Sequence, residues 1–196
     1  MLKHLKGGRL YVPVATAAAT GMRRGEVLGI RWRDIDLKAN TLSVVQVVEK
    51  TRKTLMVKEP KTEGSRRTIA LPPSLVRTLA QYKKEQAAWR LRSGLGKGED
   101  LVFPSSDGAL RNPDYFSKAF SREVAAVGLQ GVTFHGLRHT HISELLKRGV
   151  PVDVVAARAG HANPTITLNI YSHLLPGQQE QAAAIIDGYL RAALED

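Results

Sequence analysis

FHGLRHTH, residues 134–141, packs three histidines and an arginine into eight positions. Three kinds of chemistry suit it: a metal site, a base-reading helix, or a centre that breaks a phosphodiester. His135 and His139 stand four apart and would share a helix face, but His141 would point elsewhere. Arg138 would also place a positive charge beside the metal. The chain has no cysteine, which excludes thiolate ligands and disulfides. Its carboxylates are scattered. Apart from Glu99-Asp100, Asp34-x-Asp36 is the one close pair away from the chain ends, and it reads as a structural turn between a helix and a strand. The zinc reading is therefore weak, and no metal is expected.

A phosphodiester can also be attacked with fixed cations. Negative charge grows on its non-bridging oxygens in the transition state and must be neutralised. Arginine presents a planar fork that holds two such oxygens at once. His135 and Arg138, three apart, would face the same way on a helix. TGMRRGE (20–26) puts Arg23 and Arg24 just after a helix stop, with Glu26 placed to brace one of them. KEPKTEGSRR (58–67) puts Lys61 at a hairpin turn, from which an ammonium reaches across a cleft. AGHANPTITLNIYSHL (159–174) puts His161 near a helix start and Tyr171 ten residues later. Arg24, Arg66 and Arg67 read as DNA-phosphate or strand-edge contacts. His139 and His141 read as helix packing or capping, and His173 as structural.

The elements that must position these residues follow from spacing and punctuation. Residues 10–20 form a short apolar helix closed by Gly21, and a second short helix covers about 24–29. TLSVVQVV (41–48), KTLMVKE (53–59) and RRTIAL (66–71) are β-branched runs that predict one small antiparallel sheet. Residues 49–67 carry seven Lys or Arg against three Glu, concentrating charge at the hairpin tips. A long amphipathic helix is expected from Pro73 to Arg92. Asn112-Pro113 supplies an N-cap and first helical residue, with Gly128 as the stop. Helices follow near 136–148 and 151–159, from about Pro164, and over 178–194. The fold class is α+β: mostly helical, with a small antiparallel sheet in the N-terminal half.

The composition fits a polyanionic partner. Lys and Arg number 29 against 18 Asp and Glu, a formal charge of +11, and the pI is near 10.1. No run approaches the length of a membrane-spanning helix. The first twenty residues mimic a secretory signal, but Pro13 interrupts their apolar part, so a cytoplasmic location is expected. One rival reading needs no catalysis. PVDVVAARAGHANPTITLNIY (151–171) resembles a repressor helix-turn-helix, which would explain the charge but not Arg23, Lys61 and His135-x-x-Arg138.

Taken in order, these segments resemble the catalytic domain of tyrosine recombinases, the phage integrase family. TGMRRGE is similar to the family's first arginine box, placing its arginine at Arg23 and its acid at Glu26. EPKTEGSRRTIAL resembles the β-hairpin lysine segment and places the lysine at Lys61. HGLRH is similar to the H-x-x-R box, carried by His135 and Arg138. AGHANPTITLNIYSHL resembles the closing segment, with His161 and the nucleophile Tyr171. Ala159 stands where a leucine commonly precedes Gly-His, a change expected to alter packing and not chemistry.

The resemblance implies cutting and rejoining of double-stranded DNA through a 3′-phosphotyrosine, with no metal, ATP or other cofactor. It implies that Arg23 and Arg138 clamp the phosphate and that His161 donates a hydrogen bond to it. Lys61 would be the general acid, His135 would assist proton transfer or orient Tyr171, and Glu26 would position its neighbours. Residues 1–176 are expected to be the catalytic domain. About ten residues precede its first helix, where family members carry a core-binding domain, so an excised domain or a truncated relative is expected. Residues 177–196 form a helical tail with apolar rows Ile185, Tyr189, Ala193 and Ile186, Leu190, Leu194, hinged at HLLPG. The tail is expected to dock on a neighbouring copy on DNA, with a monomer in its absence.

Overall fold

The structure, a computed structural model, describes residues 1–195 apart from 53, 61–64, 96–99 and 173–177. Lys61, His173 and the HLLPG hinge lie outside the described residues. Nine α-helices and five strands are seen among those described. They are α1 (Leu2–Leu5), α2 (Tyr11–Thr20), α3 (Arg24–Leu28), β1 (Ile35–Asp36), β2 (Thr41–Val44), β3 (Val47–Lys50), β4 (Leu55–Lys58) and β5 (Arg67–Ala70). There follow α4 (Pro73–Arg92), α5 (Pro113–Ala125), α6 (Phe134–Lys147), α7 (Val152–Ala159), α8 (Pro164–Tyr171) and α9 (Gln178–Glu195). The expected helices are all present, within a residue or two of the sequence reading. None is long and apolar enough to cross a membrane among the described residues.

Their ends have local causes. α2 stops because Gly21 adopts φ 68°, a left-handed conformation that costs a residue with a Cβ about 1 kcal/mol or more. The Asn112 side chain caps α5 by accepting from the Asp114 and Tyr115 amides. Thr133 accepts from Gly136 N at 3.0 Å to open α6, and Asn163 accepts from Thr165 N at 2.8 Å to open α8.

The sheet differs from the expectation. Residues 41–48 are not one strand, and the three runs do not form one sheet. β2 pairs with β1 and β5, with Leu42 opposite Ile69, while β3 and β4 form a separate hairpin with Val48 opposite Val57. The reason lies in α3. The chain leaves the first sheet at Val45-Gln46, where Gln46 Nε2 donates to Gly29 O at 2.8 Å. A Cβ on Gly25 would stand 2.6 Å from Val48 O, so only a glycine lets β3 lie this close to the helix. Asp34 and Asp36 do make turns, Asp34 by pairing with Arg31 and Asp36 by accepting from the Lys38 and Ala39 amides. Ile35–Asp36 is nevertheless also a short strand.

One large apolar core joins α2, α3, both β2 and β5, α4 and α5. Phe134 fastens the start of α6 to it, edge-on to Phe116 at 5.0 Å and Phe120 at 5.6 Å. A smaller core of Ile142, Leu146, Val155, Ala159 and Tyr171 joins α6, α7 and α8. The functional turn of α6, His135 to His139, lies between these two anchors.

Candidate active site

Glu26 is the hub of the first half of the site. Only 4% of it is exposed, yet it stays charged. Burial pushes its carboxyl up, but the Arg67 hydrogen bond and charge, with Arg23 added, bring the net value below the usual carboxylate range. Arg67 donates to Glu26 Oε2 at 2.9 Å and Oε1 at 3.2 Å, and its Nε donates to Arg158 O at 2.7 Å. Arg23 caps α3. Its backbone N–H donates to Glu26 Oε2 at 2.8 Å and its Nη1 to Oε1 at 3.0 Å, while Nη2 reaches Gly160 O at 3.0 Å. The Arg23 side chain remains 42% exposed, so it is braced from behind and open in front.

Arg138 is buried from the second half. Nη1 donates to Gly21 O at 2.7 Å and Ala159 O at 2.6 Å. Nη2 is buried with no hydrogen-bond partner among the described residues. An orphaned guanidinium nitrogen costs about 1–3 kcal/mol or more and marks a place suited to an anion. Burial and the nearby Arg23 charge push the Arg138 guanidinium down to about 10. The same crowding acts on His161. Burial, then Arg138, Arg23 and Arg67, push its imidazole down to about 4, so it is neutral at pH 7. His161 Nδ1 meets the buried Thr167 hydroxyl at 2.7 Å. When Nδ1 accepts that hydroxyl's hydrogen, Nε2 carries a hydrogen to donate.

Tyr171 ends α8 and is only 5% exposed. Burial raises its phenol pKa and Arg138 opposes the rise. Its hydroxyl is hydrogen-bonded to His139 Nδ1. His135 stands on the same face of α6, exposed, with its ring edge-on to that of His139 at 4.8 Å.

The structure thus brings Arg23, Glu26, Arg138, His161 and Tyr171 together, with His135 one contact away from Tyr171. Three other expectations need correction. The sequence suggests a DNA-phosphate or strand-edge contact for Arg67, but its side chain is 7% exposed and turned inward onto Glu26. A +1 charge beside a buried carboxylate is held there by attraction and is not offered to solvent. His139 was read as packing or capping, but it holds the Tyr171 hydroxyl. The pairing across two helices has no signature in local spacing. The helix-turn-helix resemblance exists as α7 and α8, but Tyr171 of α8 faces inward and belongs to the site, and Ile166 and Ile170 are exposed.

The remaining residues lie outside this cluster. His141 is a packing residue, with Nδ1 2.9 Å from Ala18 O and Nε2 accepting from Arg158 Nε at 3.1 Å. Arg24 turns away from Glu26, bonding Ser117 Oγ at 2.8 Å and pairing with Asp114 at 3.4 Å. Arg66 is exposed and paired with Glu59 at 2.6 Å. Among the described residues, no three of His, Asp and Glu are grouped to hold a metal ion.

Two arginines, a neutral histidine and a tyrosine meet on a mostly helical α+β frame, which is the fold of tyrosine recombinase catalytic domains. The chain belongs to the phage integrase family, whose model matches residues 5–178. It is 32% identical over 196 aligned positions to a tyrosine recombinase XerC-like protein of Caldanaerobacter subterraneus subsp. tengcongensis, covering 93% of this chain and 50% of that protein. It is 28% identical to the ICEBs1 integrase of Bacillus subtilis, covering 89% of this chain and 47% of that one. The chain spans about half the length of these relatives. Among solved structures it is similar to the Tn1549 transposon integrase in complex with transposon right end DNA. The TM-score is 0.78 at 21% identity, over 93% of this chain and 62% of that one. It is also similar to the XerA recombinase, with TM-score 0.69 at 23% identity, over 93% and 60% of the two chains.

Proposed function

We propose that this chain cuts and rejoins double-stranded DNA at specific sites through a covalent 3′-phosphotyrosine. The observation that carries the reading is the buried, unpartnered Nη2 of Arg138 beside Arg23, His161 and Tyr171. A phosphodiester supplies the anion that this nitrogen lacks. Arg138 Nη2 and the open side of Arg23 hold its non-bridging oxygens, and His161 Nε2–H donates to one of them. Forming a free tyrosinate at pH 7 costs about 4 kcal/mol. Cations beside the hydroxyl reduce that cost, and removing one such donor typically slows a reaction about 100- to 1,000-fold.

Tyr171 attacks phosphorus, and the 5′-oxygen leaves with a proton. By the family's pattern Lys61 gives that proton. The bond energy stays in the phosphotyrosine, so a second 5′-hydroxyl reseals the strand without ATP or metal. Two relatives are named integrase or recombinase, and the Tn1549 integrase is seen bound to DNA. The +11 charge supports the same partner.

The test is a covalent trap. Nicked duplexes of randomised sequence, treated with SDS, should yield an adduct that persists in EDTA and disappears in Tyr171→Phe. An adduct that survives Tyr171→Phe would remove Tyr171 as the nucleophile.

Residues 1–176 form the catalytic unit in this reading, and α9 is a docking element. Its Ile185, Ile186, Tyr189, Leu190 and Leu194 are all at least half exposed. A helix with such a stripe is stable only when packed on something. On DNA it packs on a neighbouring copy, and the protein is a monomer without DNA. Truncation after residue 176 should abolish higher-order complexes on DNA in gel-shift titrations while monomer binding remains. Unchanged assembly would refute a docking role.

A further inference from the structure

We infer that His139 is the base that takes the proton from Tyr171. The inference rests on the function proposed above and assigns one of its steps to a residue outside the expected set. Tyr171 must lose a proton to attack phosphorus, and something must receive it. His139 Nδ1 is hydrogen-bonded to the Tyr171 hydroxyl, with ring centroids 5.8 Å apart and planes at 48°. The contact is fixed from both sides. One and two turns along α6, Ile142 and Leu146 pack with the phenol ring in the smaller core. One turn back, the ring of His135 packs edge-on against His139.

The other candidates are committed elsewhere. Glu26 holds two arginines. His161 Nδ1 is engaged with Thr167, and His141 has carbonyl and guanidinium partners on its two nitrogens. His135 packs edge-on against His139, and among the described residues it has no hydrogen bond to Tyr171. Among the described residues, His139 is the titratable side chain hydrogen-bonded to the reacting oxygen.

The step balances simply. In the tautomer that accepts from the Tyr171 hydroxyl, His139 carries its hydrogen on Nε2. The Tyr171 O–H bond breaks, its proton passes to Nδ1, and the phenolate pair forms the new bond to phosphorus. The bond from phosphorus to the 5′-oxygen breaks, and that oxygen is protonated by the general acid. On resealing, a 5′-hydroxyl returns its proton to the deprotonated general acid and attacks phosphorus, and Tyr171 leaves and recovers its proton from His139. Two imidazolium rings at 4.8 Å would repel, so His135 must stay neutral for His139 to carry the proton. Burial, His139, Arg138 and Arg23 all push His135 that way.

The experiment uses the same nicked duplex library, with a sulfur in place of the 5′-bridging oxygen at the nick-proximal phosphate. A thiolate leaves unaided, so the acid step drops out and only nucleophile activation is measured. General-base loss costs about 100- to 10,000-fold. His139→Ala should therefore slow adduct formation at least about 100-fold, with DNA affinity and circular dichroism unchanged. Added imidazole should restore the rate at least tenfold or so, because a free base replaces the missing one. His139→Gln, which keeps a hydrogen bond to the hydroxyl but accepts no proton, should remain as slow as His139→Ala. A His139→Gln variant as fast as the wild type would overturn the assignment and leave a positioning role. Absence of imidazole rescue, or an intact His139→Ala rate, would also overturn it. If the wild type gives no Tyr171-dependent adduct, the proposed function itself fails and this step falls with it.

Discussion

Arg67→Met tests how the site is held. The substitution keeps the length and apolar stem of the side chain and removes both bonds to Glu26, at 2.9 and 3.2 Å. A carboxylate that is 4% exposed then has Arg23 as its single cation. Breaking a buried pair by deleting one partner costs about 3–5 kcal/mol. Arg23 keeps two bonds to Glu26, so the expected loss is about 3 kcal/mol, a large share of the roughly 5–15 kcal/mol that stabilises a domain. The pH dependence gives a second check. In the wild type the Glu26 pKa is depressed, so its contribution is present above the unfolded value of 4.5 and is lost as pH falls through the lower folded value. Without Arg67, burial is opposed by Arg23 alone and the folded pKa climbs. The deficit of Arg67→Met should then be greatest near pH 7 and shrink as pH approaches about 5. Urea unfolding followed by tryptophan fluorescence, with Glu26→Gln and the double variant completing the cycle, measures both. A coupling energy near zero, or a deficit independent of pH, would refute the claim that Arg67 acts by compensating Glu26.

Two further outcomes follow from the same geometry. Arg23→Ala should cut adduct formation about 100-fold, and Arg24→Ala should only weaken binding, since Arg24 is engaged with Ser117 and Asp114. Equal damage to cleavage from both would reverse that choice; kinetics on the trapping substrate decide. In the free protein, His161 should titrate near 4 by NMR and move upward when DNA adds a phosphate beside it. Because its folded pKa lies below the unfolded value of 6.5, the unfolded chain binds more protons in between. Stability should therefore decline as pH falls from about 6.5 towards 4, and less steeply in His161→Gln; a reversed slope would contradict the neutral imidazole.

Much of this was legible in the sequence because it is local. Gly21, Asn112-Pro113 and Asn163-Pro164 mark helix ends through their own conformational preferences, and the helices fall where those marks put them. Arg23 and Glu26 are three apart, and the capping geometry of α3 joins them directly. What was not legible depends on pairs far apart in the chain. Arg67 and Glu26 are 41 positions apart, and His139 and Tyr171 are 32 apart. An arginine on an exposed-looking strand and a second histidine in a rich motif give no local hint of such partners. The split of 41–48 into two sheets was hidden for the same reason, since Gly25 of α3 and Gly29 just after it make room for it. Gly160 belongs to this class as well. A Cβ there would stand 2.5 Å from Arg67 Nη1, a constraint set by a residue on another element.

Both arginines and their brace are steered largely by main-chain oxygens. Gly21 O and Ala159 O hold Arg138, Gly160 O holds Arg23, and Arg158 O holds Arg67. A carbonyl is supplied by every residue type, so although Gly21 and Gly160 are held to glycine by their positive φ and close neighbours, at Ala159 the contact does not depend on the side chain that bears it. Ala159 illustrates this: its small side chain replaces a bulkier one of the family pattern, while its oxygen still grips Arg138 at 2.6 Å. The reacting groups are therefore placed by the path of the main chain at the ends of α2 and α7.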